Sequence, residues 1–332
     1  MPLKAADKAK LGVVAVLLII VLAGAIVLYL QSPNDSLPDA NPPSASVATA
    51  PSAPKPDFRQ FMRLVRSDDI DQVTAMLAKD PTLAKQMRID NGATPLHQAR
   101  SVAMAKLLLD NGADINARKT PRSGSPLRWA ASRLCDRNPK TRDVVQFLQS
   151  KGASEPDIYF AAAVGDIPQM EKLLAADPSL IEKNSRSDDI LFDACSPLQI
   201  AAYADQYDSA KFLIEHGANV HNRSGWHKTE ALEKAAWVGG ADVVALLLDH
   251  GASVNGVDKV FDDLPIQNAA TMGYADVVKI LLAHGATVPR KLIPAVRTAM
   301  QHPDTTDGPT PGSPDDFRQV LEMLTAAAST QP

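Results

Sequence analysis

Hydrophobic and polar positions divide the 332-residue chain into three stretches. Residues 11–30, LGVVAVLLIIVLAGAIVLYL, carry no charge. As a helix rising 1.5 Å per residue they would span about 30 Å, the thickness of a bilayer's hydrocarbon core. Residues 31–56 hold seven prolines, five serines and five alanines but no aromatic residue, which predicts an extended spacer unable to bury a core. From residue 57 onward apolar positions recur at helical spacing and predict pairs of short helices.

Lys4, Lys8 and Lys10 precede the uncharged run, whereas Asp35 and Asp39 follow it and the next basic residue is Lys55. The charge rule for membrane segments then predicts a single-pass protein with residues 1–10 in the cytoplasm. The remainder would lie on the periplasmic or extracytoplasmic side, with a bacterial inner membrane as the expected setting. A cleaved signal peptide is the competing reading. Its apolar core is usually shorter, about 7–15 residues, and the small-residue site Ala48-Thr49-Ala50 lies too far downstream, so an uncleaved anchor is expected.

The third stretch repeats itself. KLLLDNGADIN (106–116), KFLIEHGANVH (211–221), ALLLDHGASVN (245–255) and KILLAHGATVP (279–289) share one pattern. Gly217, Gly251 and Gly285 follow one another at 34-residue intervals. Upstream lie TPLHQA (94–99), SPLRWAA (125–131), SPLQIAA (196–202), EALEKAA (230–236) and LPIQNAA (264–270). FAAAVGD (160–166) marks a further copy. Each position has a physical reason. Ser or Thr caps the first helix, Pro presets its first turn, and the later Gly takes the left-handed conformation that ends the second helix. The alanine pair permits close packing between neighbouring first helices, and the leucine row fills the core between copies.

This pattern resembles the ankyrin-repeat family, whose period is near 33 residues. The resemblance implies an all-α solenoid of helix-turn-helix repeats with hairpin-like turns, behind a single N-terminal transmembrane helix. Residues 57–328 would hold about six repeats with a helical cap at each end, the first cap over 58–85. The arrangement is also similar to membrane-anchored bacterial ankyrin proteins. Two departures stand out. Gly112 to Gly152 is 40 residues, with the excess near 135–142, and Thr94 to Gly112 is 18 where Glu230 to Gly251 is 21.

A net charge of −4 argues against a nucleic-acid surface. Phosphate-loop, nucleophile-elbow and zinc-helix motifs are missing from the sequence, so neither a catalytic site nor a cofactor nor a metal is expected, and no small-molecule substrate is evident. His216, His250 and His284 each precede a helix-ending glycine, where a cation suits the helix dipole. Cys135 and Cys195 fall in repeats two and four, which predicts two separate free thiols.

The family resemblance implies a protein partner held by the turn tips and the exposed face of each first helix. Counting back from each glycine places Arg122 and Arg133 there in repeat two, and Phe192, Asp193 and Tyr203 in repeat four. Repeat five contributes Trp226, His227, Thr229, Trp237 and Val238; repeat six contributes Phe261, Asp263, Thr271 and Met272. Two of the chain's three tryptophans lie in repeat five, and aromatic side chains are common interface anchors. The alternative is that they pack on a neighbouring tip and stiffen the solenoid. The expected function is a non-enzymatic, membrane-tethered module that binds a periplasmic protein. An immunity-type neutraliser of a toxin and a structural scaffold of a membrane complex are the alternatives.

Overall fold

The computed structural model describes residues 57–88, 92–118, 124–136, 138–185, 194–224, 228–256, 264–302 and 309–330. The expected tail (1–10), membrane helix (11–30) and spacer (31–56) lie outside the described residues. Among the described residues no helix is long and apolar enough to cross a membrane.

Sixteen α-helices are described, arranged as eight consecutive pairs. The N-terminal cap is α1 (Phe58–Arg66) and α2 (Ile70–Lys79), followed by a 3₁₀ turn at Pro81–Lys85. Repeat one contains α3 (Pro95–Gln98) and α4 (Val102–Asp110); repeat two, α5 (Pro126–Ser132) and α6 (Pro139–Ser150). Repeat three has α7 (Ile158–Val164) and α8 (Ile167–Ala176); repeat four, α9 (Pro197–Tyr203) and α10 (Tyr207–Glu215). Repeat five has α11 (Ala231–Val238) and α12 (Ala241–Asp249); repeat six, α13 (Pro265–Thr271) and α14 (Ala275–Ala283). The C-terminal cap is α15 (Leu292–Gln301) and α16 (Pro314–Thr330).

First helices stack on first helices and second helices on second helices along the array. The alanine pairs make this possible: Ala161 and Ala162, Ala201 and Ala202, Ala235 and Ala236, and Ala269 and Ala270 are all buried. Leu108, Leu148, Leu213, Leu247 and Leu281 of the second helices fill the space between repeats. A single pair cannot bury this apolar face alone, so stability comes from stacking. The caps close both ends: Phe61 and Val65 are buried at one, Phe317, Val320 and Leu324 at the other.

The caps follow the sequence logic. Thr94 with His97, and Ser196 with Gln199, form reciprocal capping boxes, and Ser125 accepts from the Arg128 amide. Repeat five puts two carboxylates, Glu230 and Glu233, in the same box. The helix-ending glycines adopt positive φ, for example Gly217 at 92°. His216, His250 and His284 precede them, and each ring Nδ1 lies 2.8 Å from the carbonyl four residues back, of Phe212, Leu246 and Ile280 respectively. In repeat one the Asn111 amide does the same work on the Leu107 carbonyl.

Both irregularities have a structural form. The excess in repeat two folds as a 3₁₀ turn at Leu134–Asp136, after which Asn138 caps α6. Repeat one is clipped because α3 has only four residues. Arg133 of repeat two compensates, its guanidinium donating to the carbonyls of His97 (3.1 Å) and Ala99 (2.8 Å).

Candidate protein-binding face

The site is built where each first helix turns into its second. Successive helical residues point about 100° apart, so only one of the last two residues of a first helix can face outward. In repeat four that residue is Tyr203 and in repeat five Trp237; both are half-buried. Their rings stack, with centroids 5.7 Å apart and planes 13° from parallel. The Lys234 ammonium lies 6.0 Å from the Tyr203 ring centre, within reach of a cation–π attraction. The face therefore presents a rigid aromatic ledge with one positive charge at its rim.

The same geometry corrects two sequence expectations. Val238 is fully buried, because it follows Trp237 by one residue and turns into the core. Thr229 is buried too. It sits at the base of its hairpin, bridged to Ser224, and its carbonyl accepts from the Gln199 amide.

The other expected residues are dispersed. Arg133 clamps repeat one, as above. Thr271 is half-buried and donates to the Gln267 carbonyl at 2.8 Å. Met272 is half-buried, and its carbonyl accepts from the Gly312 amide at 2.7 Å. Arg122, Phe192, Asp193, Trp226, His227, Phe261 and Asp263 lie outside the described residues. Of the expected set, the structure brings Tyr203 and Trp237 together.

Tyr203 has a further neighbour that sequence reasoning missed. Its phenol lies close enough to the Cys135 thiol of repeat two, and to Cys195, for both to act on it electrostatically, while the Cys135 thiol itself donates to the Ser132 carbonyl at 3.7 Å. Both thiols are free and buried, and both bear electrostatically on the same phenol. In the intervening repeat the corresponding residue is Val164, at the end of α7, and it is half-buried. The excess length near 135–142 was the signal available in the sequence. Burial pushes the Tyr203 phenol up and the Cys135 thiol up to about 11, so both stay protonated near neutrality. No three metal-binding side chains converge among the described residues.

The geometry defines a class: a solenoid of stacked helix pairs with an aromatic edge. The family comparison is narrower. Residues 158–259 match the family described as ankyrin repeats (3 copies), and residues 91–120 match the ankyrin repeat. The chain carries ankyrin repeats.

Two curated relatives are fungal. A palmitoyltransferase AKR1 of Gibberella zeae is 41% identical over 71 residues, covering 21% of this chain and 9% of that protein. A palmitoyltransferase akr1 of Neurospora crassa is 33% identical over 115 residues, covering 35% of this chain and 14% of that protein. The matched stretch is thus a small fraction of either relative. The human ASB11 ankyrin repeat domain is 20% identical, covering 80% of this chain and 96% of that chain, with a TM-score of 0.35.

These relatives correct two expectations. The exclusion of enzymes, and with it of small-molecule substrates, does not stand, because both relatives are named as enzymes. The placement on the periplasmic side of a bacterial inner membrane does not stand either. The relatives are fungal palmitoyltransferases, not bacterial periplasmic proteins. Nor is the likeness to membrane-anchored bacterial proteins supported. What holds is a repeat array of the kind that mediates protein–protein interaction.

Proposed function

We propose that the array holds a protein partner on the first-helix face and turn edge of repeats four to six, centred on Tyr203 and Trp237. The observation that carries this reading is the Tyr203–Trp237 stack with Lys234 at its rim. Large, half-buried aromatic rings with few rotatable bonds make effective anchors, since little side-chain entropy is lost on binding. The turn tips, with Trp226, His227, Phe192, Asp193, Phe261, Asp263 and Arg122, would complete the contact. The proposal concerns the repeat array, which is the part shared with the two palmitoyltransferases. In the proposed division, residues 11–30 form a hydrophobic segment, 31–56 a spacer and 57–328 the solenoid.

The test is capture of partners by the full chain from native extract, comparing the unaltered protein with Trp237→Ala and Lys234→Glu. Trp237→Ala loses about 0.5–1.5 kcal/mol of stacking and, in addition, the buried area of a half-buried ring, so circular dichroism of each variant accompanies the capture. One stoichiometric partner, lost in both variants at unchanged fold, supports the reading. Capture indifferent to both variants contradicts it. Many sub-stoichiometric partners would instead fit a scaffold.

A further inference from the structure

Repeats in a solenoid touch their immediate neighbours, so a contact that skips several repeats needs a reason. Residues 309–312 make one. The Gly312 amide donates to the Met272 carbonyl at 2.7 Å, and the Tyr274 hydroxyl donates to the Thr310 carbonyl at 2.9 Å, both in repeat six. The Thr310 hydroxyl then donates to the Asp136 carbonyl of repeat two at 3.2 Å, 174 positions earlier in the chain.

The backbone is shaped for this path. A Cβ on Gly312 would lie 2.4 Å from the Gly273 carbonyl oxygen, so only glycine permits the approach. A Cβ on Gly239 would lie 2.9 Å from the Tyr274 ring, so Tyr274 leans onto repeat five through that glycine. Pro309 and Pro311 fix their own φ angles and lower the entropy lost in holding the segment. Two links lead from the segment toward the aromatic pair: Asp136 adjoins Cys135, which acts electrostatically on Tyr203, and the Tyr274 ring bonded to the segment rests on Gly239, two residues beyond Trp237.

We propose that residues 309–312 are an intramolecular latch that ties the turn edge of repeat two to repeat six and holds the Tyr203–Trp237 edge closed, a role that rests on reading that edge as the binding face. The Thr310–Asp136 bond is exposed to solvent, so it is the end that water or a competing donor reaches first. A partner offering its own donor to the Asp136 carbonyl would displace Thr310 and release the edge. The two bonds in repeat six would keep the segment attached there.

The test reads the thiols of the full chain. Cys135 is 3% exposed beside the latch, and Cys195 is buried at the start of α9. Alkylation by iodoacetamide, quantified per cysteine by mass spectrometry, should rise about tenfold at Cys135 in Gly312→Ala, the factor expected for losing one or two net hydrogen bonds. Cys195 should not change. Tyr274→Phe keeps the ring on Gly239 but removes the hydroxyl, and should give a smaller rise at Cys135 alone. An equal rise at both cysteines in Tyr274→Phe, or no rise at either, overturns the latch. That variant decides the matter if Gly312→Ala loosens the whole fold. No partner enters this experiment, so its failure leaves the binding face to the capture test, and failure of the capture test leaves the latch standing.

Discussion

Arg133 separates a structural role from a binding role, because counting back from its glycine placed it on the contact surface and the structure makes it a clamp on a shortened helix. In Arg133→Met the stem is kept and the guanidinium removed. The carbonyls of His97 and Ala99 then lose donors at 3.1 and 2.8 Å, and α3, with four residues, has no further turn to supply replacements. A hydrogen bond from a charged group contributes about 1.5–3 kcal/mol net. Arg133 is half-buried, so water takes over part of each bond, and the two together are expected to contribute about 2–3 kcal/mol. Urea unfolding followed by far-ultraviolet circular dichroism measures the loss. Hydrogen exchange over residues 93–110 localises it, since damage in a repeat array shows first in the affected repeat. A loss below about 0.5 kcal/mol with unchanged exchange in repeat one would refute the clamp, because that is the scatter of ordinary surface substitutions.

Two predictions concern pH and have opposite signs. Burial lowers the His97 pKa from 6.5 to about 4, so the neutral ring stabilises the fold above about 6.5, and that contribution is lost as pH falls toward 4. His97→Gln borrows the capping box of repeat four and should flatten this acid arm of the urea midpoint; an unchanged slope would contradict the assignment. Glu230 is 1% exposed, and burial raises its pKa against the lowering effects of His221 and Arg223. Its contribution is therefore complete below the ordinary value of 4.5 and is lost as pH rises above it. Glu230→Gln should gain stability relative to the parent protein between about pH 5 and 7, and parallel midpoint curves would show that the carboxylate does not drive the effect.

The repeat architecture was legible because several residues recur together, and each recurrence has a local cause: Ser125 and Ser196 cap, Pro126 and Pro197 start, Gly217 and Gly251 stop. The eight pairs and the N-terminal cap follow from such local rules. What crosses between repeats was less legible. Val238 was placed on the surface by counting from its glycine, but the direction of a side chain depends on its helical phase. Cys135 of repeat two acts electrostatically on Tyr203 of repeat four, whereas a spacing argument that assumes a uniform array places them apart. The return of Thr310 to Asp136 has no periodic signal at all. Arg133 was legible as a charge near a surface but not as the replacement for a missing helical turn.

The central claim is that the array binds a protein through the turn edge bearing Tyr203 and Trp237. Hydrogen exchange of the full chain with its captured partner bound, compared with the chain alone, tests this most directly. The account predicts slowed exchange at residues 203–206 and 237–240, where the edge is formed. Slowing confined to the second helices α10, α12 and α14, with that edge unchanged, would contradict it.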